Sequence, residues 1–252
     1  MSRAVKSGSD RAGILLVDVS NTFTKIAVAR RGTIGRLRKI PTEKLSPADF
    51  QVKADLAVIS SVVPSAGALL ASSLPCPPLW VDHRVPGGVP VDYPAPSSIG
   101  ADRLANAAAA VSLGKIPAVV VDFGTAVTFD VIDGRGFYVG GIIAPGLPTA
   151  AAALHERTAL LPLARITSVT SAVGRSTSEA IRIGLLLGAV GLVREAVARI
   201  SEERFRSRKP CVLATGGDAE LVHRLCGRES VIDKVDPLLT LRGLLVIGKR
   251  NL

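Results

Sequence analysis

Two aspartates follow apolar stretches of the sequence, at places where a carboxylate is suited to binding a metal ion. Asp18 follows a run that begins ILLV, and Asp122 follows AVVV. An ionised carboxylate at the end of a buried strand is unfavourable unless a cation or hydrogen-bond donors compensate it. Mg²⁺ with a nucleoside triphosphate supplies that compensation, because Mg²⁺ binds carboxylates and phosphates together. The pattern therefore predicts a nucleotide site, with Asp18 as a Mg²⁺ ligand.

The residues after each aspartate fit phosphate binding. A tight turn of small residues lets backbone N–H groups approach phosphate oxygens, and Asn21, Thr22 and Thr125 add side-chain donors. The simpler interpretation of a single copy is an aspartate that only caps its own turn. Two copies in one register favour a duplication; the matched pairs are Ser20 with Gly124, Thr24 with Thr128, and Arg31-Gly32 with Arg135-Gly136. We therefore predict two similar halves that meet near residue 115.

A second carboxylate stands beside an arginine at the start of a predicted helix. Asp102 and Arg103 follow a Pro/Gly-rich loop over residues 83–100. Phosphorylation of an alcohol needs a base that accepts the hydroxyl proton, and a guanidinium binds an acidic substrate well. The alternative is an acid that favours the helix N-terminus beside an arginine on the solvent face.

A glycine pair, Gly216 and Gly217, follows a predicted strand and precedes a helix. Glycine permits close approach by a flat base or a sugar, which suits the nucleoside part of ATP. A Gly-Gly turn before a helix is also common without any ligand, so the pair alone is a weak signal.

The composition predicts an ordinary globular protein. The chain has 252 residues, 48% of them hydrophobic and 21% charged, which is enough apolar material for a large core. The three cysteines, Cys76, Cys211 and Cys226, form no CxxC motif, which favours a reducing cytoplasm. The longest apolar run, residues 183–193, is shorter than the roughly 18–20 residues that span a bilayer. We therefore expect a soluble, cytoplasmic protein that has no membrane partner.

The charge of the chain is strongly positive, with 31 Lys and Arg against 21 Asp and Glu and a net charge of +10. Such a balance is found in proteins that bind nucleic acid or anionic metabolites. The basic residues lie in small scattered groups without interleaved aromatic residues. This distribution favours a solvated surface over a nucleic-acid partner.

The elements that position these residues follow from hydrophobic periodicity. Each half opens with strands and continues with alternating helices and strands, which predicts α/β domains with a ligand cleft between them. Predicted strands cover residues 14–19, 23–29, 33–40, 54–60, 78–82, 118–123, 126–132, 137–143, 210–215 and 231–235. Predicted helices cover residues 101–113, 149–157, 176–203 and 218–225 and a last segment from residue 237; a capping box of Ser176 and Glu179 opens the longest.

Six motifs together resemble one known family. DVSNTFTK, GADR, DFGTAVTFD, GGIIAPG, GRSTSEA and ATGGDAEL occur in the order and spacing of the type III pantothenate kinases. The similarity runs from about Gly13 to the last helix. It implies a duplicated ribonuclease-H-like, actin-like ATPase fold of class α/β, with two similar domains over residues 13–115 and 116–252 and a cleft between them. Residues 1–12 are expected to form a disordered tail.

The resemblance implies ATP-dependent phosphorylation of the primary hydroxyl of pantothenate to 4'-phosphopantothenate, the first step of coenzyme A biosynthesis. It implies Mg²⁺, a K⁺ or NH₄⁺ ion at Asp122, and a homodimer in which residues 181–193 pair. Asp102 is the implied proton acceptor and Arg103 the implied partner of the pantothenate carboxylate. The expected ATP-binding residues are Asp18, Val19, Ser20, Asn21, Thr22, Phe23, Thr24, Lys25, Thr125, Gly216 and Gly217. The expected substrate-binding residues are Tyr93, Gly100, Ala101, Asp102, Arg103 and Thr177.

Two positions depart from the family pattern. Ser20 stands where the family has glycine, and if that position needs a positive φ, serine costs about 1–2 kcal/mol. Ala95 stands where an Asn-Pro pair is common. Lys25 has two interpretations, a phosphate contact or a strand-edge lysine with its ammonium in water.

Two alternative functions follow from these departures and from the basic charge. In one, the chain is a catalytically weakened, nucleotide-binding regulatory protein. In the other, it is a kinase of a different small alcohol.

Overall fold

The computed structural model describes residues 13–206 and 208–252. The predicted tail of residues 1–12 lies outside this description. The chain forms two compact units, one reaching to Gly114 and including Leu238–Leu252, the other covering Lys115–Pro237. Among the described residues, no helix combines the length and the apolar character needed to cross a membrane.

The first unit is built around a mixed sheet whose central strand is buried along its whole length. The elements of this unit are β1 (Gly13–Val19), β2 (Phe23–Arg30), β3 (Thr33–Ile34), β4 (Arg38–Pro41), β5 (Leu56–Ser61), α1 (Pro64–Ser73), β6 (Pro78–Trp80) and α2 (Ala101–Ser112). The central strand is β1, which reads GILLVDV, and its aliphatic side chains pack on one face of the sheet with those of β5. The sheet order is β3-β2-β1-β5-β6, with β4 also paired to β2.

The second unit repeats this topology. Its elements are β7 (Ala118–Phe123), β8 (Ala126–Ile132), β9 (Tyr138–Pro145), α3 (Leu147–Arg157), α4 (Thr177–Phe205), β10 (Cys211–Gly216), α5 (Ala219–Cys226) and β11 (Lys234–Val235). Its sheet order is β11-β10-β7-β8-β9, with β7, β8 and β9 antiparallel and β10 and β11 parallel to β7. Because β1 and β7 hold the same place in the two sheets, the predicted duplication and fold class are confirmed.

The last helix, α6 (Leu239–Lys249), belongs to the first unit. The second domain predicted from the sequence, residues 116–252, includes this helix, so the structure differs here from the expected boundary. Its buried face packs on α2 and on β1, and a Cβ at Gly243 would overlap the carbonyl of Ala105. The apolar periodicity of this segment predicts a helix but carries no information about which sheet it covers.

Several predicted boundaries shift in the structure. The strand expected over residues 33–40 is split into β3 and β4, because Gly35 bonds to the Val28 carbonyl and the chain then leaves β2. The segment before β5 contains two 3-10 turns, Thr42–Lys44 and Pro47–Phe50. The Ser176 hydroxyl accepts from the Glu179 amide as predicted, while the Glu179 carboxylate accepts from the Arg175 amide.

Candidate functional site

The aspartate at the end of β1 is compensated by a lysine on the neighbouring strand. Asp18 is only 2% exposed. It lies opposite Lys25 in the antiparallel register, and the Lys25 Nζ is 3.8 Å from the Asp18 Oδ2. The lysine inside β2 therefore faces an acid, and its side chain is 19% exposed.

A buried hydroxyl stands next to the strand-end aspartate in each unit. Ser60 on β5 pairs in parallel register with Asp18, and Thr215 on β10 pairs with Asp122. Residues paired in this way direct their side chains to the same face of a sheet. Both hydroxyls are fully buried and have no hydrogen-bond partner among the described residues. Sequence reasoning missed them, although each is the polar residue at the end of an apolar strand.

The first candidate phosphate loop is a tight turn without left-handed strain at Ser20. The Ser20 amide donates to the Phe23 carbonyl at 3.2 Å, and the Thr42 hydroxyl donates to the Ser20 carbonyl at 2.7 Å. In the described ranges, the non-glycine residues with positive φ are Arg31 and Arg206. Ser20 therefore does not have the positive φ that would make serine unfavourable in place of glycine.

The predicted ATP-binding residues of this loop differ in what they expose. Asn21, Thr22 and Phe23 are exposed at the turn, with Phe23 covered on one side by the Lys39 ammonium at 4.1 Å from the ring centre. Val19 and Thr24 are buried, and the Thr24 hydroxyl lies 3.1 Å from the Thr42 hydroxyl that donates to the Ser20 carbonyl.

Asp102, the predicted proton acceptor, lies in the first turn of α2. The Asp102 Oδ1 accepts from the Arg103 amide at 2.9 Å, so it takes the capping role that Gly100 lacks a side chain to fill. A Cβ at Gly100 would stand 2.5 Å from that oxygen. Glycine before the helix thus makes room for the carboxylate.

The electrostatics of Asp102 favour its protonated form more than usual. Burial raises the pKa of the Asp102 carboxyl, while the Arg103 amide and guanidinium and the Lys25 ammonium lower it by less. The net pKa lies above the ordinary aspartate value. A carboxylate with a raised pKa is a better proton acceptor near neutral pH than an exposed one.

The remaining predicted substrate residues occupy different elements. Ala101 is the buried first residue of α2, and Tyr93 is 39% exposed in the loop before it. Thr177 is exposed and opens α4 in the second unit. Of the predicted substrate residues, Gly100, Ala101, Asp102 and Arg103 therefore lie at the start of α2, whereas Tyr93 and Thr177 belong to other segments.

The second unit holds its strand-end turn by close packing against α3. The Thr125 carbonyl accepts from the Gly146 amide at 3.0 Å and from the Thr149 hydroxyl at 2.6 Å. A Cβ at Gly146 would lie 2.6 Å from that same carbonyl oxygen. Gly216 has φ +96°, and a Cβ there would lie 2.5 Å from the Asp122 Oδ1. Two glycines therefore fix the surroundings of Asp122 and Thr125.

A cavity of about 540 Å³ opens beside the glycine pair in the same unit. It is bounded by Asp218, which directly follows Gly217, and by mostly apolar side chains of α3 and the segment after it. The lining residues are Pro148, Ala151, Ala152, Leu163, Ala164, Arg165, Ile166 and Asp218. A mostly apolar pocket with a few polar groups suits a flat nucleobase. The sequence offered no signal for these lining residues beyond the glycine pair.

The oxygen atoms beside the two strand-end aspartates fit a metal ion that takes its other ligands from a nucleotide and from water. Among the described residues, no group of three or more His, Cys, Asp or Glu side chains is arranged to hold a metal ion. Mg²⁺ commonly takes one or two carboxylates and completes its shell with water and phosphate. Asp18 beside the Ser60 hydroxyl, and Asp122 beside the Thr215 hydroxyl, are oxygen sets of that hard type.

Comparison with known proteins agrees with these features. The family model for type III pantothenate kinase matches residues 14–199. A type III pantothenate kinase from Methylacidiphilum infernorum is 41% identical over 241 residues, covering 94% of this chain and 88% of the relative. Another from Akkermansia muciniphila is 44% identical over 246 residues, covering 94% of this chain and 99% of the relative.

A solved structure extends the comparison to the fold. The crystal structure of a candidate transcriptional activator of the Baf family from Campylobacter jejuni superposes with a TM-score of 0.61 at 20% identity, covering 94% of this chain and 98% of that one. At that identity the likeness shows the fold alone. The family model and the two relatives span nearly all of the motifs on which the resemblance was based, so the chain belongs to the type III pantothenate kinase family.

Proposed function

We propose that this chain transfers the γ-phosphoryl group of ATP to the primary hydroxyl of pantothenate, with Asp102 as the proton acceptor. The observation that supports this role is the carboxylate at the start of α2, which burial makes more basic and which an adjoining arginine flanks. Membership of the family supports the substrate and the first step of coenzyme A biosynthesis.

The acceptor side of the reaction is assigned to the first unit. The Asp102 carboxylate accepts the hydroxyl proton as the hydroxyl oxygen attacks the γ-phosphorus and ADP leaves with the bridging oxygen, while the Arg103 guanidinium binds the pantothenate carboxylate. Tyr93, Gly100 and Ala101 complete this proposed substrate set. Lys25, which faces Asp18, adds positive charge to the loop at Asp18–Lys25 where phosphate oxygens are expected.

The nucleotide side is assigned to the phosphate loop of residues 18–25 and to the second unit. The cavity beside Gly216 and Gly217 is proposed to hold the adenine, and Thr125 to contact ATP, with Thr177 contacting the substrate. Asp18 would hold Mg²⁺, which when bound neutralises the charge that spreads over the transferred phosphoryl group. Asp122 would hold K⁺ or NH₄⁺ together with the Thr215 hydroxyl.

The chain is further proposed to form a homodimer through α4. Leu187 is 54% exposed, and Gly184, Gly188 and Gly191 on the same helix have open space where a Cβ would be. An apolar patch with small residues lets a second helix approach closely, as the family resemblance implies. A measurement of the molecular mass in solution tests whether the chain is a dimer.

The three free cysteines support the proposal of a cytoplasmic location.

The proposed reaction predicts ADP release that depends on pantothenate. A coupled ADP assay, run with and without pantothenate at several K⁺ concentrations, should show turnover only when pantothenate and K⁺ are both present.

Arg103→Ala should raise the KM for pantothenate about tenfold or more, because it removes a charge-assisted bond, and should change the KM for ATP little. An acceptor that lacks a carboxylate serves as the control, since Arg103→Ala should not affect it. ATP turnover indifferent to pantothenate would contradict the proposal.

The alternative of a weakened regulatory protein makes a different prediction for Ser20. Because Ser20 has no left-handed strain, Ser20→Gly should change kcat by less than about threefold, within the range of ordinary surface substitutions. Gly124→Ser is the matched control, since a Cβ at Gly124 would meet only ordinary contacts at 3.6 and 3.7 Å. If both the native chain and Ser20→Gly bind ATP without phosphorylating pantothenate, the regulatory alternative is correct.

A further inference from the structure

The C-terminal helix α6 contacts the helix that carries Asp102. The Thr240 hydroxyl on α6 donates to the Asn106 Oδ1 on α2 at 2.9 Å, and both side chains are about 1% exposed. Asn106 lies one helical turn after Asp102, on nearly the same face of α2. A buried, directional bond between the two helices therefore fixes α2 against sliding or rotating at the level of the acceptor site.

Close backbone packing strengthens this contact. Gly243 lies one turn after Thr240, and a Cβ at Gly243 would overlap the Ala105 carbonyl. On its other side, α6 approaches the sheet at Gly248, where a Cβ would lie 2.8 Å from a Val58 methyl. Helix α6 is thus held between α2 and the sheet without room to shift.

The two residues after α6 bind the loop that precedes α2. The Arg250 Nη1 donates to the Gly87 carbonyl at 2.7 Å, and the Asn251 Nδ2 donates to the Pro86 carbonyl at 2.7 Å and the Ile247 carbonyl at 2.8 Å. Gly87 has φ +74°, and a Cβ there would lie 2.6 Å from the Arg250 Cβ. Only glycine lets the loop approach the end of α6 this closely.

These contacts flank the segment that contains Tyr93 and ends at Asp102, because Pro86 and Gly87 precede it and Asn106 follows it. We propose that Thr240, Arg250 and Asn251 are positioning residues for the pantothenate side of the site, with α6 holding the loop of residues 83–100 and the start of α2 in one arrangement. They contact no reacting atom. The kinetic part of this inference rests on the proposed function, whereas the structural part does not.

The first test combines Arg250→Ala with Asn251→Ala. Loss of both side chains should raise the KM for pantothenate about tenfold, because two hydrogen bonds that order the loop are removed, and should leave kcat and the KM for ATP within about twofold. Amide hydrogen exchange in residues 83–100 should become faster. Lysine in place of alanine at position 250 keeps one donor, so Arg250→Lys with Asn251→Ala should restore part of the affinity for pantothenate. Arg36→Ala, at an exposed arginine of the same unit, is the control and should leave both KM values unchanged.

The second test uses Thr240→Val, with Thr240→Ser as its conservative partner. Valine removes the donor to Asn106 and should lower kcat several-fold, while serine keeps the hydroxyl and should restore it. Two results would overturn the inference. One is unchanged amide hydrogen exchange in residues 83–100 of the Arg250→Ala, Asn251→Ala variant, and the other is an equal rise of the KM values for pantothenate and for ATP. If the native chain shows no pantothenate-dependent turnover, the proposed function fails, and the exchange measurements still decide whether α6 orders the loop.

Discussion

Asp102→Asn should abolish phosphorylation of pantothenate while the protein still folds and still binds ATP. Removing a positioned general base lowers kcat by about 100- to 10,000-fold. The amide keeps the size of the side chain and its Oδ1, which accepts from the Arg103 amide, so the start of α2 should be preserved. The measurements are pantothenate-dependent ADP release and ATP binding by calorimetry. Residual turnover within tenfold of the native rate would exclude Asp102 as the base.

The same substitution should raise the stability of the fold at neutral pH. Burial raises the pKa of Asp102 in the folded state above its unfolded value, so the folded protein binds the proton more readily than the unfolded chain. The free energy of unfolding therefore falls as the pH rises through these pKa values, and the ionised carboxylate destabilises the fold at pH 7. Asparagine removes that penalty. A higher melting temperature with lost activity separates this effect from misfolding.

The native enzyme should show the corresponding pH profile. Only the carboxylate form of Asp102 accepts a proton, so kcat/KM should fall on the acid side with a pKa above the ordinary aspartate value of about 3.9. The Arg103 and Lys25 charges oppose this shift. A profile flat down to pH 4 would contradict the raised pKa of Asp102 as the group that limits activity on the acid side.

The register of the two halves was predictable because it depends on local patterns. An apolar run that ends in an aspartate fixes both the strand and the turn, and the bounds of β7 and β8 agree with the prediction to the residue. The family motifs also lie in such turns, so the family was recognisable from the sequence alone.

Contacts between distant segments were not predictable in the same way. Nothing in the pattern of residues 239–249 indicates that α6 packs against α2, since an apolar face fits either sheet equally well. Ser60 and Thr215 likewise gained meaning only from the parallel register that places them beside Asp18 and Asp122. The charge partner of Lys25 depended on strand pairing, which left its two interpretations open. Tertiary proximity, rather than residue type, decided each of these cases.

Gly216→Ala should weaken both the fold and ATP binding. Alanine at φ +96° adopts a strained backbone, and its Cβ would press on the Asp122 carboxylate and the Phe123 carbonyl. Left-handed strain and overpacking together should reduce the free energy of unfolding by roughly 2–4 kcal/mol. The displaced Asp122 and the moved turn should raise the Kd for ATP at least about tenfold. Denaturant unfolding and calorimetric titration with ATP measure the two effects.

Gly217→Ala provides the matched control, one residue along the same turn. Gly217 has no positive φ, and among the described residues beyond its two chain neighbours no heavy atom lies within 4 Å of a Cβ placed there. Its substitution should change the free energy of unfolding by less than about 0.5 kcal/mol. Any loss of ATP affinity in Gly217→Ala at unchanged stability therefore reports direct approach of the nucleotide to this glycine. A free energy of unfolding that changes as little in Gly216→Ala as in Gly217→Ala would show that the turn adjusts freely, and the proposed link from Gly216 to Asp122 would then be wrong.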